Sequence, residues 1–214
     1  MLNKKIAVVV LSSAFSAPAV AADAGWYGLG SIGQTDFKIK DKAGIFLQNS
    51  TNGASISEDK TDTGWKLGAG YMFNRNFGAE AGFVDLGKAK LTLTRPGVTG
   101  SISTDFKTSG IFGAGIGAWP ISNQFSAFGK VGLLVAVTES NISGTLGTTT
   151  FSGTGQKGTT TVFFGAGVQY DVSREWSVRA EYEMFPGLGD SAGGEIGSKA
   201  DITMLSIGAV FRFK

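Results

Sequence analysis

Trp176-Ser177-Val178-Arg179-Ala180-Glu181-Tyr182-Glu183-Met184 decides how the chain is read, because its residues alternate strictly between two kinds. Trp176, Val178, Ala180, Tyr182 and Met184 are apolar or amphipathic, whereas Ser177, Arg179, Glu181 and Glu183 are polar or charged. A period of two is that of a β-strand with one apolar and one polar face. The last strand-like segment repeats the pattern, with Leu205, Ile207, Ala209, Phe211 and Phe213 opposed to Met204, Ser206, Gly208, Val210 and Arg212. Alternation alone does not say which face meets water, since in a soluble sheet the apolar face lines the core.

Eight segments read as strands, at 25–36, 63–73, 77–91, 104–118, 125–138, 159–170, 176–185 and 200–213. Most are long enough to cross a bilayer when tilted, which takes roughly 9 to 11 residues. Asn74-Arg75-Asn76, 120–124 and 171–175 are short connections carrying the Asn, Ser, Pro and Asp of tight turns. The stretches 37–62, 92–103, 139–158 and 186–199 are long and polar, and are expected to be loops. Short turns at one end and long loops at the other is the plan of an outer-membrane barrel, turns towards the periplasm and loops outside. After the N-terminal stretch no apolar segment reaches spanning-helix length, so a membrane crossing requires a closed barrel. The 33 glycines in 214 residues, against a usual share of about 7%, are interleaved with apolar residues and suit crowded, curved strands.

Residues 1–22 read as an export signal: Lys4 and Lys5 precede the apolar run from Ile6 to Leu11, and small residues from Ala17 to Ala22 precede Asp23. The expected mature part, 23–214, is a single barrel domain. Removing Lys4 and Lys5 leaves 17 basic against 17 acidic residues, so no concentrated basic balance points to nucleic acid. Cysteine is absent, which rules out disulfides and thiolate metal ligands.

Aromatic placement decides the orientation. Trp26, Tyr27, Tyr71, Phe73, Phe77, Trp119, Phe125, Tyr170, Trp176, Phe211 and Phe213 all lie at strand ends beside the short turns or the termini. Stacked around a barrel they form one ring, as in the aromatic girdles at membrane interfaces. The apolar face then meets lipid, and the other face carries Lys66, Glu80, Lys130, Gln169, Arg179, Glu181, Glu183 and Arg212 inward. The interior of an eight-stranded barrel is only wide enough for side chains, so these charges are expected to pair. A gate, in which rearranged ion pairs open a water path, is the sharper reading.

Gly167-Val168-Gln169-Tyr170, Arg179-Ala180-Glu181-Tyr182, the run from Met204 to Phe213, Phe77 to Phe83 with Leu86-Gly87, and Trp26-Tyr27 stand in an order that resembles the OmpA-type outer-membrane β-barrel family. The resemblance covers the mature chain and implies an eight-stranded antiparallel up-and-down transmembrane β-barrel. In that family an inward Glu and an inward Arg form an interior salt-bridge gate, and Glu80 and Arg179 match them. Gln169 stands where the family has an acid, Gly115 where it has a lysine, and Lys130 holds the basic position of the fifth strand. The resemblance therefore implies a static Glu80, Lys130, Arg179 cluster rather than a partner-exchanging gate. It further implies recognition of the last strand by the barrel-assembly machinery, through Phe211 and Phe213 ahead of Lys214. A periplasmic peptidoglycan-binding domain is not expected.

With no histidine, the commonest general base is missing. Neither an enzyme, nor a metal site, nor a cofactor is expected. The expected function is a structural protein of the bacterial outer membrane that contacts its lipids, supports envelope integrity and has narrow, low-level permeability to small solutes. The alternative is a surface adhesin or ligand-binding protein acting through its long loops.

Overall fold

The computed structural model describes residues 24–39, 55–94, 101–188 and 200–213, and every regular element among them is a strand. The expected export signal lies outside the described residues. In chain order the strands are β1 (Gly25–Ile39), β2 (Ser55–Asp59), β3 (Thr61–Met72), β4 (Phe77–Thr94), β5 (Ser101–Pro120), β6 (Phe125–Leu146), β7 (Thr149–Asp171), β8 (Trp176–Leu188) and β9 (Ala200–Arg212). β2 continues the line of β3, with Lys60 between them, and pairs further along β4. β1 pairs with β3 and β9, β4 pairs with β3 and β5, and all neighbours are antiparallel, so the sheet closes on itself as eight staves. The expected eight-stranded up-and-down barrel is the fold. Closure leaves no sheet edge within the band and pairs the backbone polar groups, which hydrocarbon demands.

Outward positions form an exposed apolar band, seen on β6 as Val131, Leu133, Val135 and Val137 and on β9 as Leu205 and Ile207. A continuous apolar surface of this kind suits lipid. At one end the staves are joined by three turns of one design. The Asn74 carboxamide oxygen accepts the N–H of Asn76 and of Phe77, both at 2.8 Å. Ser122 Oγ does the same for Gln124 and Phe125, and Ser173 Oγ for Glu175 and Trp176. Side-chain acceptors that mimic a backbone turn explain why these short segments reverse the chain.

The other end departs from expectation. The stretch 139–158, expected to be a loop, is the outer half of a regular hairpin in which Glu139 faces Gln156 and Leu146 faces Thr149. It closes at Gly147, whose φ of 63° supplies the positive value a two-residue turn requires. In the stretch 92–103, Thr92 faces Ser103 and Thr94 faces Ser101, while 95–100 lie outside the described residues. Of 37–62, residues 37–39, 55–59 and 61–62 are in strands, and 40–54 lie outside the described residues; of 186–199, residues 186–188 are in β8 and 189–199 lie outside. Composition misled here because Ser, Thr and Gly read as loop residues, yet threonine favours strands and the ladder hydrogen bonds need no apolar face.

The interior is layered. At the loop end, Phe112, Phe163, Phe185, Leu86, Leu134, Leu188, Ile202 and Met204 belong to one buried apolar cluster. Phe163 stacks on Phe185 at 5.2 Å between centroids and meets Phe112 edge-on at 6.1 Å. A smaller cluster of Tyr27, Leu29 and Val210, with Met72 against it, lies towards the short-turn end. Buried charges occupy the space between.

Candidate functional site inside the barrel

Period-two geometry brings Arg179, Glu181 and Glu183 to the inward face of β8 at successive levels. Lys66 reaches them from β3, Glu80 from β4 and Lys130 from β6. The Arg179 guanidinium contacts Glu80 at 2.5 Å and Glu181 at 3.3 Å. Lys130 Nζ lies 2.7 Å from Glu183, 3.1 Å from Glu181 and 3.7 Å from Glu80. Lys66 pairs with Glu181 and, at 2.8 Å, with Glu183. Three cations thus meet three carboxylates, and their side chains are at most 8% exposed. Mutual pairing is what makes such burial tolerable, because an isolated ion there would cost several kcal/mol.

Packing holds the network in place. Arg179 lies over the Phe128 ring at 4.7 Å and Lys66 over Phe112 at 5.8 Å, distances within cation–π range. Gly165 provides the room for Lys130: a Cβ at this glycine would stand 2.8 Å from Lys130 Cε. Gly70 does the same beneath the ring of Tyr27.

Of the six residues expected to form the interior charge cluster, Glu80, Lys130, Arg179, Glu181 and Lys66 come together. Arg212 does not: its guanidinium pairs with Asp171 at 2.9 Å, and both side chains are about a third exposed (38% and 31%). The reason is position, since Arg212 is the last residue of β9 and Asp171 the last of β7, both at the short-turn rim. Glu183, read from sequence as inward, is as central as Glu181. Gln169 extends the network to that rim by accepting from Arg179 Nε at 3.1 Å and Nη2 at 2.9 Å, and donating to Asp171 at 3.1 Å. Gly115 is exposed on the outer face, so it is not an interior position lacking its lysine; the inward residues beside it are Ala114 and Ile116.

The aromatic ring forms with one correction. Trp26, Phe73, Trp119, Tyr170, Trp176 and Phe213 are exposed on the outer face at the short-turn end, and half-buried Tyr71 packs between Trp26 and Phe73. Tyr27 is buried, and its hydroxyl donates to Glu80 at 2.8 Å. Adjacent strand residues point to opposite faces, so Trp26 and Tyr27 cannot both belong to the girdle. That parity was the signal in the sequence that would have placed Tyr27 inside.

The chain matches the family model of the OmpA-like transmembrane domain over residues 21–214. It is 28% identical over 221 residues to outer membrane protein A of Serratia marcescens, in an alignment covering 100% of this chain and 56% of the relative. Identity to outer membrane protein A of Escherichia coli O157:H7 is 28% over 218 residues, covering 100% and 55%. The chain spans about half the length of the curated relatives it matches. Among solved structures it shares its fold with Neisserial surface protein A, at a TM-score of 0.51 and 14% identity over 90% of this chain and 100% of the other. The Escherichia coli outer membrane protease OmpT gives 0.52 and 9% over 92% and 99%. The Yersinia pestis attachment invasion locus protein Ail, bound to the heparin analogue sucrose octasulfate, gives 0.50 and 19% over 88% and 99%. With the family model matched over nearly its whole length, this chain belongs to the OmpA-like transmembrane domain family of the bacterial outer membrane.

Proposed function

We propose that this protein is a structural, sealed barrel that supports envelope integrity and performs no catalysis. The carrying observation is that two different layers fill the lumen, a neutral ion network below and the Phe112, Phe163, Phe185 cluster above. Rearranging ion pairs would leave the apolar layer closed, and an apolar constriction excludes hydrated ions by dewetting. Narrow permeability to small solutes would therefore require both layers to move. The likeness to a protease concerns the fold, and function depends on the site rather than the fold. The outward Phe213 at the end of the last stave, with half-buried Phe211 beside it, supports recognition by the barrel-assembly machinery.

Planar-bilayer conductance of the refolded protein tests the reading. Wild type and Arg179→Ala are expected to be silent, and Arg179→Ala combined with Phe163→Ala to conduct. Discrete channels from Arg179→Ala alone would sink the sealed barrel and make the ion network the gate. A second reading, a surface protein that binds outside the cell, is favoured by the hairpin of β6 and β7 that stands beyond the apolar band.

A further inference from the structure

Pairing on the two sides of β7 is unequal. Towards β6 it runs without a bulge from Tyr170 to Thr149, whereas towards β8 it runs only from Asp171 to Phe164. The Thr161 hydroxyl still donates to the Pro186 carbonyl, but among the described residues no strand lies beside the stretch from Thr149 to Thr160 on that side. Every second residue there points its backbone N–H and C=O away from the sheet, which makes the stretch an open template for another strand. Natural edges are guarded against such pairing by charges, prolines or bulges. Thr149-Thr150-Phe151-Ser152-Gly153-Thr154-Gly155-Gln156 has neither a charge nor a proline, and its threonines favour strands. Phe151, its one large apolar side chain, is 38% exposed.

We propose that this edge pairs with the same edge of a second copy of the chain standing in a facing membrane, so that the protein joins one cell surface to another. Copies within one membrane all stand the same way up, which sets equivalent edges parallel. A copy in a facing membrane is inverted and its edge runs antiparallel, the orientation in which equivalent residues exchange both backbone hydrogen bonds about a two-fold axis. The sequence suits pairing with itself, since no like charges meet across 149–156 and hydroxyl side chains facing one another gain hydrogen bonds. From Glu139 to its turn at Gly147 the hairpin is roughly 25 Å long, which lifts the edge clear of the lipid headgroups. A single contact is weak, and many copies on each surface act together.

The inference deepens the reading of a protein that binds outside the cell and rests on it, while the sealed barrel is tested separately by conductance. The full chain would be inserted from outside into phosphatidylcholine vesicles, loops outward as checked by external protease. Immobilised vesicles carrying it are expected to capture fluorescent vesicles carrying it about tenfold more than empty ones, the gain that many weak contacts supply together. Thr150→Lys with Thr154→Lys, at exposed positions, is expected to abolish this capture while the barrel keeps its heat-dependent gel mobility. Thr150→Glu with Thr154→Glu is expected to do the same. Vesicles carrying the lysine variant are then expected to capture those carrying the glutamate variant, because opposite charges across an antiparallel pair attract. Wild-type vesicles that stay dispersed would overturn the proposal, leaving the surface-binding reading to partners other than this chain. Capture that survives in both charged variants, or mixed variants that fail to capture each other, would show that the β7 edge is not the contact and would overturn it as well.

Discussion

The two halves of the lumen answer the same problem in opposite ways. Towards the loop end, Phe163, Phe185, Leu134 and Met204 fill the barrel as a packed apolar core. Nearer the short turns the same space holds three cations and three carboxylates that satisfy one another. An apolar layer tolerates the loss of one member as a cavity, whereas an ionic layer that loses one member keeps a charge it can no longer neutralise. The contrast explains why the charged half is built as a network with several partners per group, and why Lys130 reaches all three carboxylates.

The largest effect is expected from Lys130→Met, which leaves a net negative buried cluster and should lower stability by about 3–5 kcal/mol. Urea unfolding in lipid vesicles measures it. Adding Glu183→Leu should recover much of the loss, because removing both partners is far less harmful than removing one; a double variant worse than the single would break the contrast. Phe163→Ala should follow, at about 3 kcal/mol or somewhat more from lost burial and the cavity left between Phe112 and Phe185. Its loss should be insensitive to salt in the same titration. Gln169→Leu removes the amide linking Arg179 to Asp171 and should cost about 1–3 kcal/mol, the range for stranding buried hydrogen-bonding groups. Arg212→Ala should be smallest, below about 1 kcal/mol, since its pair with Asp171 is screened by solvent. A large effect there, persisting in high salt, would place the rim pair with the interior network.

Particular residues show how far the sequence could be read. The β8 cluster was legible because Arg179, Glu181 and Glu183 alternate with apolar neighbours, and the short turns because Asn74, Ser122 and Ser173 carry turn chemistry. The apolar layer was not, because Leu133-Leu134-Val135-Ala136-Val137 and Val162-Phe163-Phe164 are apolar on both faces and carry no alternation. The outer hairpin escaped because Ser, Thr and Gly stand on both of its faces, Ser140, Gly144 and Gly155 on one and Ser143, Ser152 and Thr154 on the other. Two bulges also lay beyond a reading by period. The registers shift between Asp85 and Lys88 and between Phe185 and Leu188, with positive φ at Gly87 and Gly187, and a bulge resets which residues face inward.

What the sequence determined by itself was a set of membrane-length strands, their order, one aromatic end and an inward charged face, because each is a property of neighbours along the chain. Only the tertiary structure decided that the partner of Tyr27 is Glu80, that Arg212 stays at the rim with Asp171, and that an aromatic plug lies above the ions. Those features depend on strand register and on which staves face each other across the lumen, and a partner on a distant stave leaves no mark in local periodicity.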